Sequence, residues 1–181
     1  MLRYSAIHRL GTAFAIIRKN NFMREQLSLA RENVINPRER LLKLEKEGHY
    51  VFHGSKALVD RLEPQQAYNN NQKDGAPAVF ATPFADVAIY RSLINTNNIN
   101  GPSESQFGTT GDGVYFKASQ NLVDSAKNIT GKIYVLDREK FKNFKGTECR
   151  LEEPIDPIEV IEVTANDLPT NIEIIEISKR V

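Results

Sequence analysis

The sequence has little cysteine and no long apolar run. Its only cysteine, Cys149, cannot form an internal disulfide, which fits a reducing compartment. Apolar runs of about 18 residues do not occur, so no membrane span is expected. The first residues also lack a clear secretory signal. We therefore expect a cytoplasmic protein.

Several common ligand-binding patterns are missing as well. The chain contains neither a Walker-type phosphate loop nor a G-x-G-x-x-G pattern. Its three histidines and one cysteine form no cluster with the spacing of zinc ligands. Nucleotide binding through either glycine-rich loop and zinc binding by such a cluster are therefore excluded, and no metal site is expected.

The charge is small overall but unevenly distributed. The formal net charge is +1, yet residues 1–48 carry ten Lys/Arg against five Glu. Such a basic arm can contact nucleic acid, an anionic membrane or an acidic partner. A solvated helical face is the alternative interpretation of the same charges.

The N-terminal third has the pattern of helices. Residues 2–19 and 22–32 carry apolar side chains at three- and four-residue spacing. A third helix is predicted from Asn36 as its N-cap, Pro37 at its first position and Gly48 as its stop. Residues 1–48 are accordingly predicted to form a helical N-terminal segment.

After residue 48 the pattern changes to strands rich in β-branched and aromatic residues. Strands are predicted in YVFHGS, AVFAT, GVYFKAS, GKIYVLD and IEVIEVTA, with further candidates in TECRLEEP and IEIIEISKR. Thr82 is predicted to cap a helix that has Pro83 at its first position. Residues 95–113 are predicted to be a long polar loop. The fold class expected for residues 49–181 is α+β.

Three segments in order carry a resemblance to a known family. They are FHGS at 52–55, VFATPFADVA at 79–88, and Glu148 within GTECRLEEP. Together they resemble the ADP-ribosyltransferases, in the His-Tyr-Glu branch that includes diphtheria-type toxins and poly-ADP-ribose polymerases. The resemblance covers residues 49 to about 165. It implies a mixed, split β-sheet that binds NAD as a substrate.

The resemblance also implies roles for individual residues. His53 would hold the adenosine-side ribose, and the main chain of Gly54 would pair with the nicotinamide carboxamide, with the hydroxyl of Ser55 nearby. Glycine suits that position because it lets a ligand approach the backbone closely. Glu148 would stabilise the positive charge that develops on the ribose, or act as base for the incoming nucleophile.

The aromatic position of the family pattern is occupied differently here. Phe80 aligns with the family's tyrosine, followed by Ala81, and keeps a stacking face without the hydroxyl. Tyr90 is a candidate for a second aromatic wall. Tyr115, in GVYF, is an alternative for the second member of the triad. Glu148 likewise has rivals, namely Glu152 and Glu153.

Three functions remain open on these residues, beside a plain α+β structural domain that binds no ligand. The first is a mono-ADP-ribosyltransferase that moves ADP-ribose from NAD to a protein or nucleic-acid acceptor and releases nicotinamide. The second is a non-catalytic module of the same fold that binds a nucleotide or a protein. The third is an enzyme like the RNA 2′-phosphotransferases, which need phosphate-gripping arginines; the candidates here are Arg61, Arg91 and Arg150.

Overall fold

The computed structural model describes residues 36–69, 72–73, 75–111 and 113–177. The predicted helices at 2–19 and 22–32 lie outside these residues. The compact unit spans Asn36–Val181 and includes the helix at 37–47, which the sequence analysis assigned to the N-terminal segment. No helix in the described part of the chain is both long and apolar enough to cross a membrane.

The described chain is a mixed α+β fold, as the sequence predicts. Its α-helices are α1 (Pro37–Glu47), α2 (Ala85–Leu93) and α3 (Gln120–Ala126). Short 3-10 turns occupy Thr96–Asn98, Arg138–Lys140 and Ala165–Asp167. Its strands are β1 (Tyr50–Ser55), β2 (Tyr68–Asn69), β3 (Gln72–Lys73), β4 (Val79–Ala81), β5 (Ser105–Thr110), β6 (Gly113–Ala118), β7 (Gly131–Asp137), β8 (Lys142–Lys145), β9 (Glu148–Leu151), β10 (Glu159–Val163) and β11 (Ile172–Ile174).

The ends of α1 confirm the local signals in the sequence. The side chain of Asn36 accepts hydrogen bonds from the backbone N–H of Arg38 at 2.8 Å and of Glu39 at 3.4 Å. Gly48 ends the helix in the left-handed conformation, at φ 74°. The chain then enters β1 directly.

Two three-stranded sheets meet along one edge of β1. One has the order β1-β7-β10 and the other β4-β9-β8, and both are antiparallel. A bridge between Phe52 and Thr82 joins them through hydrogen bonds of 2.8 and 2.9 Å. The strand order across the junction is therefore β8-β9-β4-β1-β7-β10. A further sheet has the order β11-β6-β5, with β11 parallel to β6 at its edge.

The central strands bury side chains on both faces. Phe52, Ile133 and Val135 face a cluster built with α2 and β6. Val51 and Tyr134 face a second cluster built with β4 and β9. A strand that is covered on both sides has a nearly continuous apolar run, which explains the sequence GKIYVLD in β7.

Helix α2 begins later than the sequence predicts. Thr82 does not cap it, because this residue is held in extended backbone by the bridge to Phe52. The first helical residue is Ala85, whose N–H donates to the Glu45 carboxylate of α1 at 2.7 Å. Burial is the main cause that raises the pKa of Glu45. The cap thus comes from another helix, and local sequence does not reveal it.

The sequence predicts one long loop at residues 95–113, and this prediction is wrong. Ser105–Thr110 is a strand that pairs antiparallel with Gly113–Ala118. Its polar side chains give no apolar alternation, so only pairing with the more apolar β6 makes it a strand. Helix α3 and strand β8 were likewise not predicted from the sequence.

Candidate functional site

A cavity of about 290 Å³ opens where β1 and β4 diverge. The Phe52–Thr82 bridge does not continue into a ladder between these two strands. The walls come from β1, from the chain that follows it, and from β4. The lining residues are His53, Ser55, Ala57, Val59, Arg61, Leu62, Glu63, Gln65, Ala78, Val79 and Phe80.

His53 connects the two strands at this divergence. Its Nδ1 atom lies 2.7 Å from the carbonyl oxygen of Phe80. A carbonyl can only accept, so Nδ1 carries the proton, and Nε2 of the neutral ring is an acceptor. Burial lowers the pKa of His53 more than the bond to Phe80 raises it, and the positive charge of Arg91 lowers it further. His53 is therefore neutral at neutral pH.

Polar groups also line the part of the cavity next to His53. The hydroxyl oxygen of Ser55 accepts from the N–H of Ala57 at 3.2 Å. Arg61 and Glu63 lie at the rim with their side chains more than half exposed, 54% and 58%, and are 3.7 Å apart. The cavity thus offers a neutral imidazole, a hydroxyl and one charge of each sign.

Gly54 is packed against α2. A Cβ atom at this position would overlap the backbone carbonyl of Ala88, so glycine is needed here for helix packing. Gly54 lies two residues after Phe52 on β1, so the backbone groups of both residues point to the same side of the strand. The N–H and C=O of Phe52 bond to Thr82, on the side of β1 opposite to β7. The N–H and C=O of Gly54 therefore point away from β7, to the side on which β4 diverges.

Phe80 and Glu148 are linked by Arg150. The Arg150 guanidinium lies 4.9 Å from the centre of the Phe80 ring, and its Nε is 3.1 Å from Oε1 of Glu148. Phe80 lines the cavity, whereas Glu148 does not. Ala81 is a core residue, only 5% exposed.

The two tyrosines named as aromatic candidates lie elsewhere. Tyr90 is buried, and its hydroxyl donates to the carbonyl of Lys117 at 2.6 Å. Burial raises the pKa of Tyr90 to about 12. The ring of Tyr115 lies over Gly108 in the β5-β6 hairpin. Neither tyrosine lines the cavity beside His53.

The rival carboxylates line a different hollow. Glu152 and Glu153 belong to a second cavity of about 600 Å³ beside β8 and β9. Its lining residues are Glu139, Lys140, Lys142, Asn143, Arg150, Leu151, Glu152, Glu153 and Pro154. Because its lining carries three cations and three carboxylates, this cavity favours no sign of ligand charge. The described residues contain no group of three or more His, Cys, Asp or Glu that could hold a metal.

Tyr134 is a residue at the site that the sequence analysis missed. It pairs with His53 across β1 and β7, and the two ring centres are 5.9 Å apart. Its hydroxyl bonds to the backbone of two residues in the cavity wall. The available signal was a tyrosine within the otherwise apolar run of GKIYVLD, since a buried hydroxyl needs a partner.

No family model, curated protein or solved structure matches this chain.

Proposed function

We propose that this domain has an ADP-ribosyltransferase-like split sheet and binds NAD in the cleft between β1 and β4. The observation that carries the proposal is the bond of His53 to Phe80 at the point where these strands separate. The strand order β9-β4-β1 supports it too, because His53, Phe80 and Glu148 lie on neighbouring strands.

The size of the cavity limits which part of NAD it takes. Small-molecule sites usually measure roughly 300–1,000 Å³, and this one measures about 290 Å³. One end of the dinucleotide therefore fits inside, with the remainder over the open rim beside Arg61. Phe80 would supply the stacking face, and His53 and Ser55 would bond to ribose or carboxamide groups.

The proposed reaction is transfer of ADP-ribose to a protein or nucleic-acid acceptor. The bond between the ribose C1′ atom and the nicotinamide nitrogen breaks, and its electron pair leaves with nicotinamide. The acceptor nucleophile then bonds to C1′ and gives up its proton to a base. Glu148 would stabilise the positive ribose or take that proton. Since Glu148 lies outside the cavity wall, the ribose must extend past Phe80 to reach it.

The test is incubation of the full chain with labelled NAD, following nicotinamide release and label transfer. We compare wild type with His53→Ala, and His49→Ala serves as the matched control. His49 is exposed and lies just before β1, at the end away from the cavity. Release that is lost in His53→Ala and kept in His49→Ala supports the proposal. No release and no heat of NAD binding for wild type would overturn it.

A non-catalytic nucleotide-binding module is the second candidate. The observation that favours it is the position of Glu148, which is bonded to Arg150 and lies off the cavity wall. Calorimetry separates the two functions. Heat of NAD binding without nicotinamide release would favour the module.

An RNA 2′-phosphotransferase-like enzyme ranks lower. Of its three candidate arginines only Arg61 lines the cavity, while Arg91 lies over Phe107 and Arg150 over Phe80. A phosphate would thus meet one guanidinium at the site. An acidic partner for the basic arm and a cytoplasmic location are further proposals, and both rest on composition alone.

A further inference from the structure

We propose that Tyr134 is a positioning residue that holds the cavity wall formed by residues 56–61 in place beside His53. This inference deepens the proposed function, but its main evidence does not depend on which ligand binds. We call residues 56–61 the wall loop. All six of them are exposed.

The hydroxyl of Tyr134 bonds to the wall loop twice. It donates to the carbonyl oxygen of Ala57 at 2.7 Å and accepts from the N–H of Val59 at 2.9 Å. Both of these residues line the cavity. A single buried hydroxyl thus satisfies a donor and an acceptor of an exposed segment.

The core does not need this hydroxyl. The Tyr134 side chain is fully buried in the cluster of β1, β4, β7 and β9, where a phenylalanine would fill nearly the same space. Packing alone would therefore accept either residue. Both hydrogen-bond partners of the hydroxyl belong to the wall loop, so the hydroxyl stabilises the position of that loop.

The wall loop is fixed at its ends by other contacts. At its start, the N–H of Ala57 donates to the hydroxyl oxygen of Ser55 at 3.2 Å. Just beyond its end, Leu62 and Ile155 form a backbone bridge. Tyr134 anchors the stretch between these points. Its ring also packs on His53, at 5.9 Å between centres. One side chain therefore sets the relative position of the imidazole and the wall.

A wall held in advance favours binding because the ligand does not have to order it. Without the hydroxyl, the segment carrying Ala57 and Val59 would be ordered only when a ligand arrives. We therefore expect Tyr134 to act on ligand affinity rather than on the bond-breaking step.

The test compares Tyr134→Phe with Tyr50→Phe. Tyr50 is the matched control, a half-buried tyrosine on β1 that packs against the other core cluster. Hydrogen exchange is measured amide by amide on the full chain. We expect the Val59 amide to exchange on the order of tenfold faster in Tyr134→Phe, because its N–H loses the hydroxyl that accepts from it. Its exchange rate should be unchanged in Tyr50→Phe. Unchanged exchange at Val59 in a folded Tyr134→Phe would overturn the proposal.

Two further measurements need no NAD turnover. In wild type, the Val59 amide should exchange more slowly than those of Leu58 and Asp60, and equal rates would contradict the anchoring even if Tyr134→Phe did not fold. In Tyr134→Phe, water should reach the imidazole more easily. Because burial is the main cause that lowers the pKa of His53, its pKa by NMR titration should rise towards 6.5.

If wild type turns over NAD, kinetics give another readout. Tyr134→Phe should raise KM on the order of tenfold with kcat nearly unchanged. A fall in kcat at constant KM would instead place Tyr134 in the chemical step and overturn the positioning role. If wild type does not act on NAD, the proposed function fails, while exchange and titration still decide the role of Tyr134.

Discussion

The side chain of His53 bonds to the backbone of Phe80 at the point where the backbones of β1 and β4 separate. The Nδ1 to carbonyl distance is 2.7 Å, and one step earlier Phe52 and Thr82 are still joined backbone to backbone. A side chain thus takes over the contact between strands, and the space between them becomes the cavity. The same bond sets the tautomer of His53 and leaves Nε2 to accept from a ligand.

Neutral His53 makes the stability of the fold depend on pH. Its folded-state pKa lies below the usual histidine value of 6.5, so the unfolded chain binds the proton more tightly. The stabilisation is present above pH 6.5 and is lost as pH falls through 6.5 and then through the folded-state pKa. Urea unfolding at about pH 7.5 and about pH 5.5 should show a larger loss for wild type than for His53→Gln.

Wild type must be compared with His53→Gln because the contribution of Glu45 to stability changes with pH in the opposite direction to that of His53. The raised pKa of Glu45 gives stability that is lost as pH rises from 4.5 through the folded-state value. That contribution is common to wild type and His53→Gln, so it cancels in the difference. An equal loss in both proteins would contradict the neutral, buried state of His53.

Gly54→Ala should strongly destabilise the fold. The new Cβ would overlap the Ala88 carbonyl of α2, and both partners are backbone held in regular structure. We expect a loss of about 3 kcal/mol or more in the free energy of unfolding by urea. Gly111→Ala is the control, since its Cβ would meet nothing within 4 Å, and should change stability by less than about 0.5 kcal/mol. A stable Gly54→Ala would rule out the close approach of α2.

Glu148→Gln should separate folding from transfer. The ion pair with Arg150 is about one-third exposed, at 33% and 28%, so its loss should cost less than about 1 kcal/mol. If Glu148 stabilises the ribose, nicotinamide release should fall on the order of a hundredfold or more, with NAD binding kept. Glu152→Gln, in the second cavity, is the control and should retain the wild-type rate. Wild-type release in Glu148→Gln would remove this carboxylate from the mechanism.

Cys149 should resist alkylation in the folded protein. It is fully buried, and burial raises its pKa from 9.0 to about 12. The thiolate is the reactive form, so iodoacetamide at about pH 8 should react about a thousandfold more slowly than with the unfolded chain. Mass spectrometry over time gives both rates, with and without urea. Rapid alkylation of the native protein would mean that the β4-β9 cluster opens readily.

Part of the fold was predictable because its signals are local. Asn36, Pro37 and Gly48 satisfy or end backbone groups within a few residues of themselves, and α1 begins and ends where they predict. The apolar runs of β1 and β7 are similarly informative, since a strand covered on both faces must be apolar throughout. Ser105–Thr110 has no such signal, and its partner β6 makes it a strand.

In the candidate site, too, some residues could be predicted from local sequence, and others could not. His53 and Phe80, which the motifs place at the ends of two separate strands, both line the cavity. The sequence attributed the glycine at 54 to close approach of a ligand, and the packing of α2 adds a second requirement, because a Cβ there would overlap the Ala88 carbonyl. Tyr134 was missed because it reaches His53 and the cavity wall only through the pairing of β7 with β1 and through hydrogen bonds to Ala57 and Val59.

By itself the sequence determined the fold class, the helix at 37–47, most of the strands and the few polar residues at strand ends. Those features follow from hydrogen bonding and apolar periodicity within short stretches of chain. Tertiary structure alone decided where β1 and β4 separate, which groups face the resulting cavity, and that Glu148 is bonded to Arg150 outside it. The physical reason is that these properties depend on contacts between residues far apart in the chain.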